Sequence, residues 1–291
     1  VCRHRGGALV AERRGTAGRH LVCPYHGWAY GRDGVLVATS DPEAFPDSAG
    51  LALAELPAAE RYGLVWVRPS PAAPGRAGTL DMESYLGPLA ADFSAFGLER
   101  SHLFAPETLA ARMNWKLMVD TFLEDYHFRS VHGASVHRLY LDNLAIYEPL
   151  GPHVRYVIPK RTIRGLKGRD RASWRLREHS NILYYLFPNT IIVFVADHAA
   201  LFAVFPSGID ESVMLLSFLV PEPPTSAKAR AYWEKNAALI KTALAEDFAV
   251  AEGVQRGLAS GANTHLTFGR YEPGLAYFHQ AVERALAEAG G

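Results

Sequence analysis

Two cysteines and two histidines near the start of the chain have the types and spacing of a metal centre. Cys2 and His4 form a Cys-x-His pair, and eighteen residues later Cys23 and His26 form a Cys-x2-His pair; these are the only 2 cysteines present. A structural zinc site takes its thiolates from one tight loop and its imidazoles from a helix, whereas here each loop supplies one of each. A two-iron cluster uses that mixed supply directly, with Cys2 and Cys23 on one iron and His4 and His26 on the other. Neutral imidazole in place of thiolate raises the reduction potential of such a cluster, which suits it to accept electrons from an upstream carrier. Zinc, or two buried thiols with incidental surface histidines, are the alternative readings of the same residues. Gly6, Gly7 and Gly27 would let backbone approach a cluster, and Trp28 would shield it from solvent.

A second group of ligand types lies further along. The pattern from Asn114 to about Arg129 reads as a helix with Trp115, Met118, Phe122 and Tyr126 on one apolar stripe. Asp120, Glu124 and His127 fall on the opposite face. His132 follows just past the expected helix end. Two imidazoles and one carboxylate make the facial triad that holds non-heme iron(II) and leaves coordination positions open for dioxygen and substrate. A long helix expected from Ser226 to Leu258 offers the carboxylate, because its stripe of Trp233, Ala237, Ile240, Leu244, Ala251, Val254 and Leu258 is interrupted by Asp247. A buried carboxylate must find a cation or shift its pKa. A change of helix phase would leave Asp247 in solvent instead, and the pair Asp197 and His198 is the rival source of ligands. His137 competes with His132 for the second imidazole.

These residues need a framework. Residues 1–70 carry short β-like runs, Leu21-Val22 and Gly63 to Val67, between turn-forming stretches, and are expected to form a small β domain. Three prolines and a glycine between Pro69 and Gly75 suit a linker, so the second domain is expected over 71–291. There, Ile182 to Phe187, Thr190 to Val195, Leu201 to Phe205 and Val213 to Val220 read as antiparallel strands, with helices from Ser226 and from near Gly274. The expected class is α+β: a small β domain, then a domain with a central antiparallel sheet flanked by helices. Lys plus Arg number 30 and Asp plus Glu number 30, so no net charge draws the chain to nucleic acid or to anionic lipid. No apolar run reaches the roughly 18 residues of a membrane span, and a cytoplasmic location is expected. The chain opens on Val1 with neither methionine nor signal sequence, and the leading strands of the first domain are expected to be missing.

The boxes Cys2-Arg3-His4-Arg5-Gly6 and Cys23-Pro24-Tyr25-His26-Gly27-Trp28 resemble the two cluster-binding boxes of Rieske iron-sulfur proteins. Asn114-Trp115-Lys116, Glu124-Asp125-Tyr126-His127 with His132, and Asp247-Phe248 through Glu252 to Gln255-Arg256-Gly257-Leu258 resemble the catalytic-domain boxes of Rieske non-heme iron oxygenase α subunits. The resemblance implies a [2Fe-2S] cluster on Cys2, His4, Cys23 and His26 and a mononuclear Fe(II) on His127, His132 and Asp247. It also implies a ring-shaped homotrimer, with or without a small β subunit, fed by a reductase or ferredoxin. In such a ring a carboxylate bridges the cluster of one subunit to the iron of the next. Glu124 matches the bridge, Asp125 is the adjacent alternative, and Asp120 joins Glu124 as a candidate catalytic residue. The implied reaction activates dioxygen beside a small organic substrate, with hydroxylation of an aromatic ring as the main expectation. Monooxygenation or demethylation of a quaternary or methylated amine is the alternative, and an electron carrier without oxygenase activity the second. Tyr184, Tyr185, Phe187, Phe194, Phe202 and Phe205 read first as an ordinary aromatic sheet core, and are also candidates to line an apolar pocket or a cage for a quaternary ammonium group.

Overall fold

The turn-rich opening of the chain folds into short antiparallel pairs. In the computed structural model, which describes residues 1–12, 15–70 and 79–290, Leu21–Val22 (β1), Ala29–Tyr30 (β2) and Leu36–Ala38 (β3) form one sheet in that order. Ala58–Arg61 (β4) pairs with Leu64–Val67 (β5). They belong to a unit of residues Val1–Tyr85, distinct from a second unit of Leu86–Gly291. The small core of the first unit is built on Cys2, Cys23, Trp28 and Tyr30, with Leu36, Phe45, Leu51 and Leu53 packed against it. The expected linker falls mostly on residues 71–75, which lie outside the described residues.

After Met82–Leu86 (α1) and Leu89–Phe96 (α2), the second unit is organised by a seven-stranded sheet. His102–Ala111 (β6) and Ile146–Leu150 (β7) are its edges. Between them lie His153–Pro159 (β8), Ser180–Leu186 (β9), Thr190–Phe194 (β10), Ala199–Pro206 (β11) and Ser212–Val220 (β12), in the order β6-β12-β11-β10-β9-β8-β7 with every pair antiparallel. Burial alternates along β8, β11 and β12, as a sheet with one face on the core requires. The edges β6 and β7 escaped the sequence reading, because proline interrupts each run (Pro106, Pro149), a residue an edge strand tolerates.

The helix expected over Asn114 to Arg129 is two. Trp115–Asp120 (α3) begins at Asn114, whose side chain caps the Lys116 N–H at 3.0 Å. The chain then turns, and a single turn of helix, Phe128–Val131 (α4), follows. The break comes from Glu124, whose Oε2 accepts the backbone N–H groups of Tyr126 and His127 that a continuous helix would send to carbonyls four residues back. Tyr126 therefore leaves the expected stripe and is 58% exposed. Ala227–Ala259 (α6), preceded by the short Leu176–His179 (α5), runs as expected with Ser226 as its cap, and Pro273–Gly290 (α7) closes the chain. Gly274 lets α7 approach the loop after α3: a Cβ there would lie 2.4 Å from the Leu123 carbonyl oxygen.

Candidate metal centres

In the first unit the two expected loops share one backbone design. Cys2 N–H donates to Gly7 O at 2.8 Å and Gly6 N–H to Cys2 O at 2.9 Å; likewise Cys23 N–H donates to Trp28 O at 2.8 Å and Gly27 N–H to Cys23 O at 3.0 Å. Gly6 and Gly27, at φ +74° and +70°, supply the left-handed residue each turn needs. Cys2 and Cys23 are buried and not disulfide-bonded, and the His4 and His26 rings lie 4.6 Å apart between centroids. Trp28 stacks on His4 at 4.9 Å, and Phe45 meets both rings edge-on. Burial raises the Cys2 thiol pKa, but hydrogen bonds from Tyr30, from the backbone of His4 and Arg5 and from Cys23 outweigh it and favour the thiolate. Burial and the charges of His4 and Arg5 lower His26, favouring the neutral imidazole a metal needs. His4 Nδ1 and Trp28 Nε1 are buried without a partner among the described residues. Free buried thiols beside an unpartnered imidazole nitrogen fit a Cys2His2 cluster.

In the second unit, His127 at the start of α4, His132 at its end and Asp247 in mid-α6 converge. The His127 and His132 Nε2 atoms are 3.2 Å apart, and Asp247 Oδ1 lies 3.4 Å from the first and 3.1 Å from the second. Such a group could hold a metal ion, its donor atoms all within 4.8 Å of one another. Asp247 is 9% exposed, so the interruption in the α6 stripe faces the interior. Both remaining ring nitrogens are held by carboxylates: His127 Nδ1 by Glu124 Oε1, and His132 Nδ1 by Glu246 Oε2 at 2.7 Å. A proton fixed on each Nδ1 leaves each Nε2 lone pair directed at the shared point, which is how outer carboxylates orient metal-binding imidazoles. Burial lowers the His132 pKa, but Asp247 and Glu246 raise it above the ordinary value, the field a bound cation would meet. The donor set fits a divalent iron.

Glu246 was missed in the sequence although it directly precedes Asp247. One residue back is about 100° round the helix, and its role shows only once His132 and Ser135, whose hydroxyl donates to the same Oε2 at 2.5 Å, are seen to face it. Glu246→Gln should weaken metal binding about 10–100-fold, measured by Co(II) titration of the apoprotein followed by its visible bands; unchanged affinity would show that Glu246 does not hold His132.

The other candidates separate cleanly. Asp125 is 2% exposed and turned away from His127, accepting from Tyr156 OH at 3.1 Å. Burial pushes its pKa up, against opposing contributions from Tyr156 and the backbone N–H groups of Leu144 and Ala145. Asp120 binds His279 Nε2 at 3.0 Å, and burial pushes its pKa up against that partner's pull. His137 pairs with Asp142 at 2.7 Å, and Asp197 with His198 at 2.8 Å and Tyr232, so neither joins the triad. Glu252 and Gln255 accept the backbone N–H groups of Arg112 and Asn114, pinning the entry to α3 onto the helix that carries Asp247.

A cavity of about 250 Å³ adjoins the triad, bounded by His127 and Asp247 themselves, by Asp120, Glu124 and Glu272, and by apolar groups including Leu117, Leu275 and Phe268. The aromatic residues read as sheet core or pocket lining are core: Tyr184, Tyr185, Phe194 and Phe202 are buried, Phe187 is packed against the core, Phe205 is 42% exposed, and none borders this cavity. Tyr184 and Phe194 pack on Phe93 and Phe96 of α2, whereas Tyr185 and Phe202 are taken up in the core cluster that also holds Leu117 and Leu275.

Residues 98–288 match the catalytic domain of the ring hydroxylating alpha subunit family and residues 1–55 match the Rieske [2Fe-2S] domain. The chain belongs to that family of Rieske-type oxidoreductase α subunits. It is 27% identical over 298 residues to a chloroplastic choline monooxygenase of Spinacia oleracea, covering 98% of this chain and 63% of that one. To a putrescine 2-hydroxylase of Bordetella bronchiseptica it is 24% identical over 318 residues, covering 99% and 70%. The chain thus spans about 63% of the length of the choline monooxygenases it matches. Among solved structures, the quaternary ammonium Rieske monooxygenase CntA superposes with a TM-score of 0.78 at 19% identity over 98% of this chain and 76% of that one. Naphthalene 1,2-dioxygenase from Rhodococcus sp. gives 0.66 at 21%, over 97% and 79%. No helix among the described residues is long and apolar enough to cross a membrane.

Proposed function

We propose that this chain is the oxygenase component of a Rieske monooxygenase whose substrate is a small cationic amine, quaternary or methylated. The observation that carries this reading is the acid-lined cavity at the triad. Asp120, Glu124, Asp247 and Glu272 bound it, and with Asp120 sharing a proton with His279 the other three carboxylates still exceed the charge of one divalent ion, a surplus that selects a cation. One aromatic side chain, Phe268, lines it and offers a face to an ammonium group. The relatives named choline monooxygenase, and those named glycine betaine monooxygenase oxygenase subunit, support the same substrate class.

His127, His132 and Asp247 would hold the iron, and Cys2, His4, Cys23 and His26 the [2Fe-2S] cluster. When bound, the two centres supply dioxygen activation and electron delivery. Glu124 and Glu246 fix the imidazoles, Leu117 and Leu275 exclude water, and Asp120 with His279 holds a proton at the cavity wall. Overall, one oxygen atom enters a C–H bond beside nitrogen and the other leaves as water, at the cost of two protons and two electrons from an external reductase or ferredoxin. A homotrimer in which Glu124 bridges from one subunit to the next belongs to the same reading.

The test is turnover of the reconstituted protein against a panel of quaternary amines, methylated amines, diamines, aromatic acids and aromatic hydrocarbons. Oxidised product is expected from an amine, with KM rising for Glu272→Gln. Turnover confined to the aromatic acids or hydrocarbons would overturn the substrate class.

A further inference from the structure

Phe268, the phenyl ring that borders the cavity, has a partner behind the wall. His279 does not border the cavity, yet its imidazole stacks on the Phe268 ring with centroids 5.5 Å apart and planes 24° apart. The imidazole is itself held. Its Nε2 lies 3.0 Å and 3.1 Å from the two oxygens of Asp120, the last residue of α3, and the ring cannot turn without breaking that bond. The helix beneath it is seated on the core: Phe278 is fully buried, and Trp115 and Tyr185 meet it edge-on at 5.8 Å and 5.3 Å. Leu275, one turn before His279 on the same face of α7, borders the cavity. Phe268 has no such frame of its own. It belongs to the segment between α6 and α7, outside any helix or strand, so its ring takes its orientation from what packs on it.

We propose that His279 is a positioning residue for the substrate: anchored on Asp120, it holds the Phe268 ring at the cavity wall and so favours a fully methylated ammonium over an unmethylated one. A quaternary ammonium has no N–H group, spreads its charge over its methyl groups and gains from an aromatic face. An unmethylated ammonium is served instead by hydrogen bonds to carboxylates, which Glu124 and Glu272 offer at the same cavity wherever the Phe268 ring lies. The preference between the two cations therefore reports the ring and what holds it. This role for His279 rests on the substrate class proposed above.

The test measures the Kd of tetramethylammonium and of methylammonium on the holoprotein by calorimetry. Wild type should bind tetramethylammonium more tightly. Phe268→Leu should reduce that preference about tenfold, and His279→Gln, whose amide can still donate to Asp120 but has no ring to stack, should reduce it as much. Because His279 acts through Phe268, the double variant should lose no more than either single one. Co(II) affinity of the apoproteins should stay at the wild-type value, which separates these losses from damage to the triad. A wild type without the preference, a preference unchanged in His279→Gln, equal weakening of both cations, or additive losses in the double variant each overturn the role of His279. Should His279→Gln fail to fold, His279→Leu takes its place with the same expectation. A wild type that binds neither cation would instead overturn the substrate class, and this role with it.

Discussion

Asp247→Ala is expected to abolish turnover and strip the mononuclear iron while leaving the visible spectrum of the cluster unchanged. The carboxylate is buried in the middle of α6 with Oδ1 within 3.4 Å of both Nε2 atoms, so its loss leaves two imidazoles where the triad needs three donors. The fold should survive, because Leu244 and Ala251 keep their places on the same stripe and Glu252 and Gln255 still pin the entry to α3. His26→Ala is the reciprocal case: the cluster spectrum should disappear and the mononuclear iron remain, since the ligands of the two centres lie in separate units of the chain. Loss of both metals from either change, with circular dichroism intact, would mean the centres are not independent.

Glu124→Gln is expected to lower metal affinity about 10–100-fold and to slow reoxidation of the reduced cluster even when the iron site is refilled. Its Oε1 accepts His127 Nδ1–H and its Oε2 accepts two backbone N–H groups, which uses three of the roughly four acceptor positions of a carboxylate. One remains, on a side chain 11% exposed, and the proposed bridging role would fill it with a donor from a neighbouring subunit. The Glu246→Gln variant separates the two effects, because Glu246 holds the other imidazole in the same way. Under the bridging role, Glu246→Gln reoxidises at the wild-type rate once metal is saturating and Glu124→Gln does not. Equal rates in both variants would reduce Glu124 to a positioning residue for His127.

The ligand types were legible because their chemistry constrains the sequence locally: Cys2-x-His4 and Cys23-x2-His26 fold as twin turns, and Asp247 breaks an apolar stripe whose phase α6 preserves over its whole length. What was not legible depended on contacts distant in sequence or on competition for backbone hydrogen bonds. The region after Asn114 has helical periodicity, yet Glu124 captures two N–H groups and ends α3 early. The pairing of Glu124 with His127 survived that error because residues three apart meet in a turn as well as in a helix. Glu246, 114 residues from His132, carried no local sign of its partner. Composition left the aromatic run from Tyr184 to Phe205 open between core and pocket lining, because it does not say what a strand face meets, and the acidic wall is assembled from α3, the turn after it, α6 and the segment before α7.

The most direct test of two iron centres in one chain is the iron and acid-labile sulfide content of the purified protein, measured beside Asp247→Ala and read together with the visible spectrum. Wild type should hold about three irons and two sulfides per chain and the variant about two of each. Equal iron in both proteins would contradict the triad, and a colourless protein without sulfide would contradict the cluster.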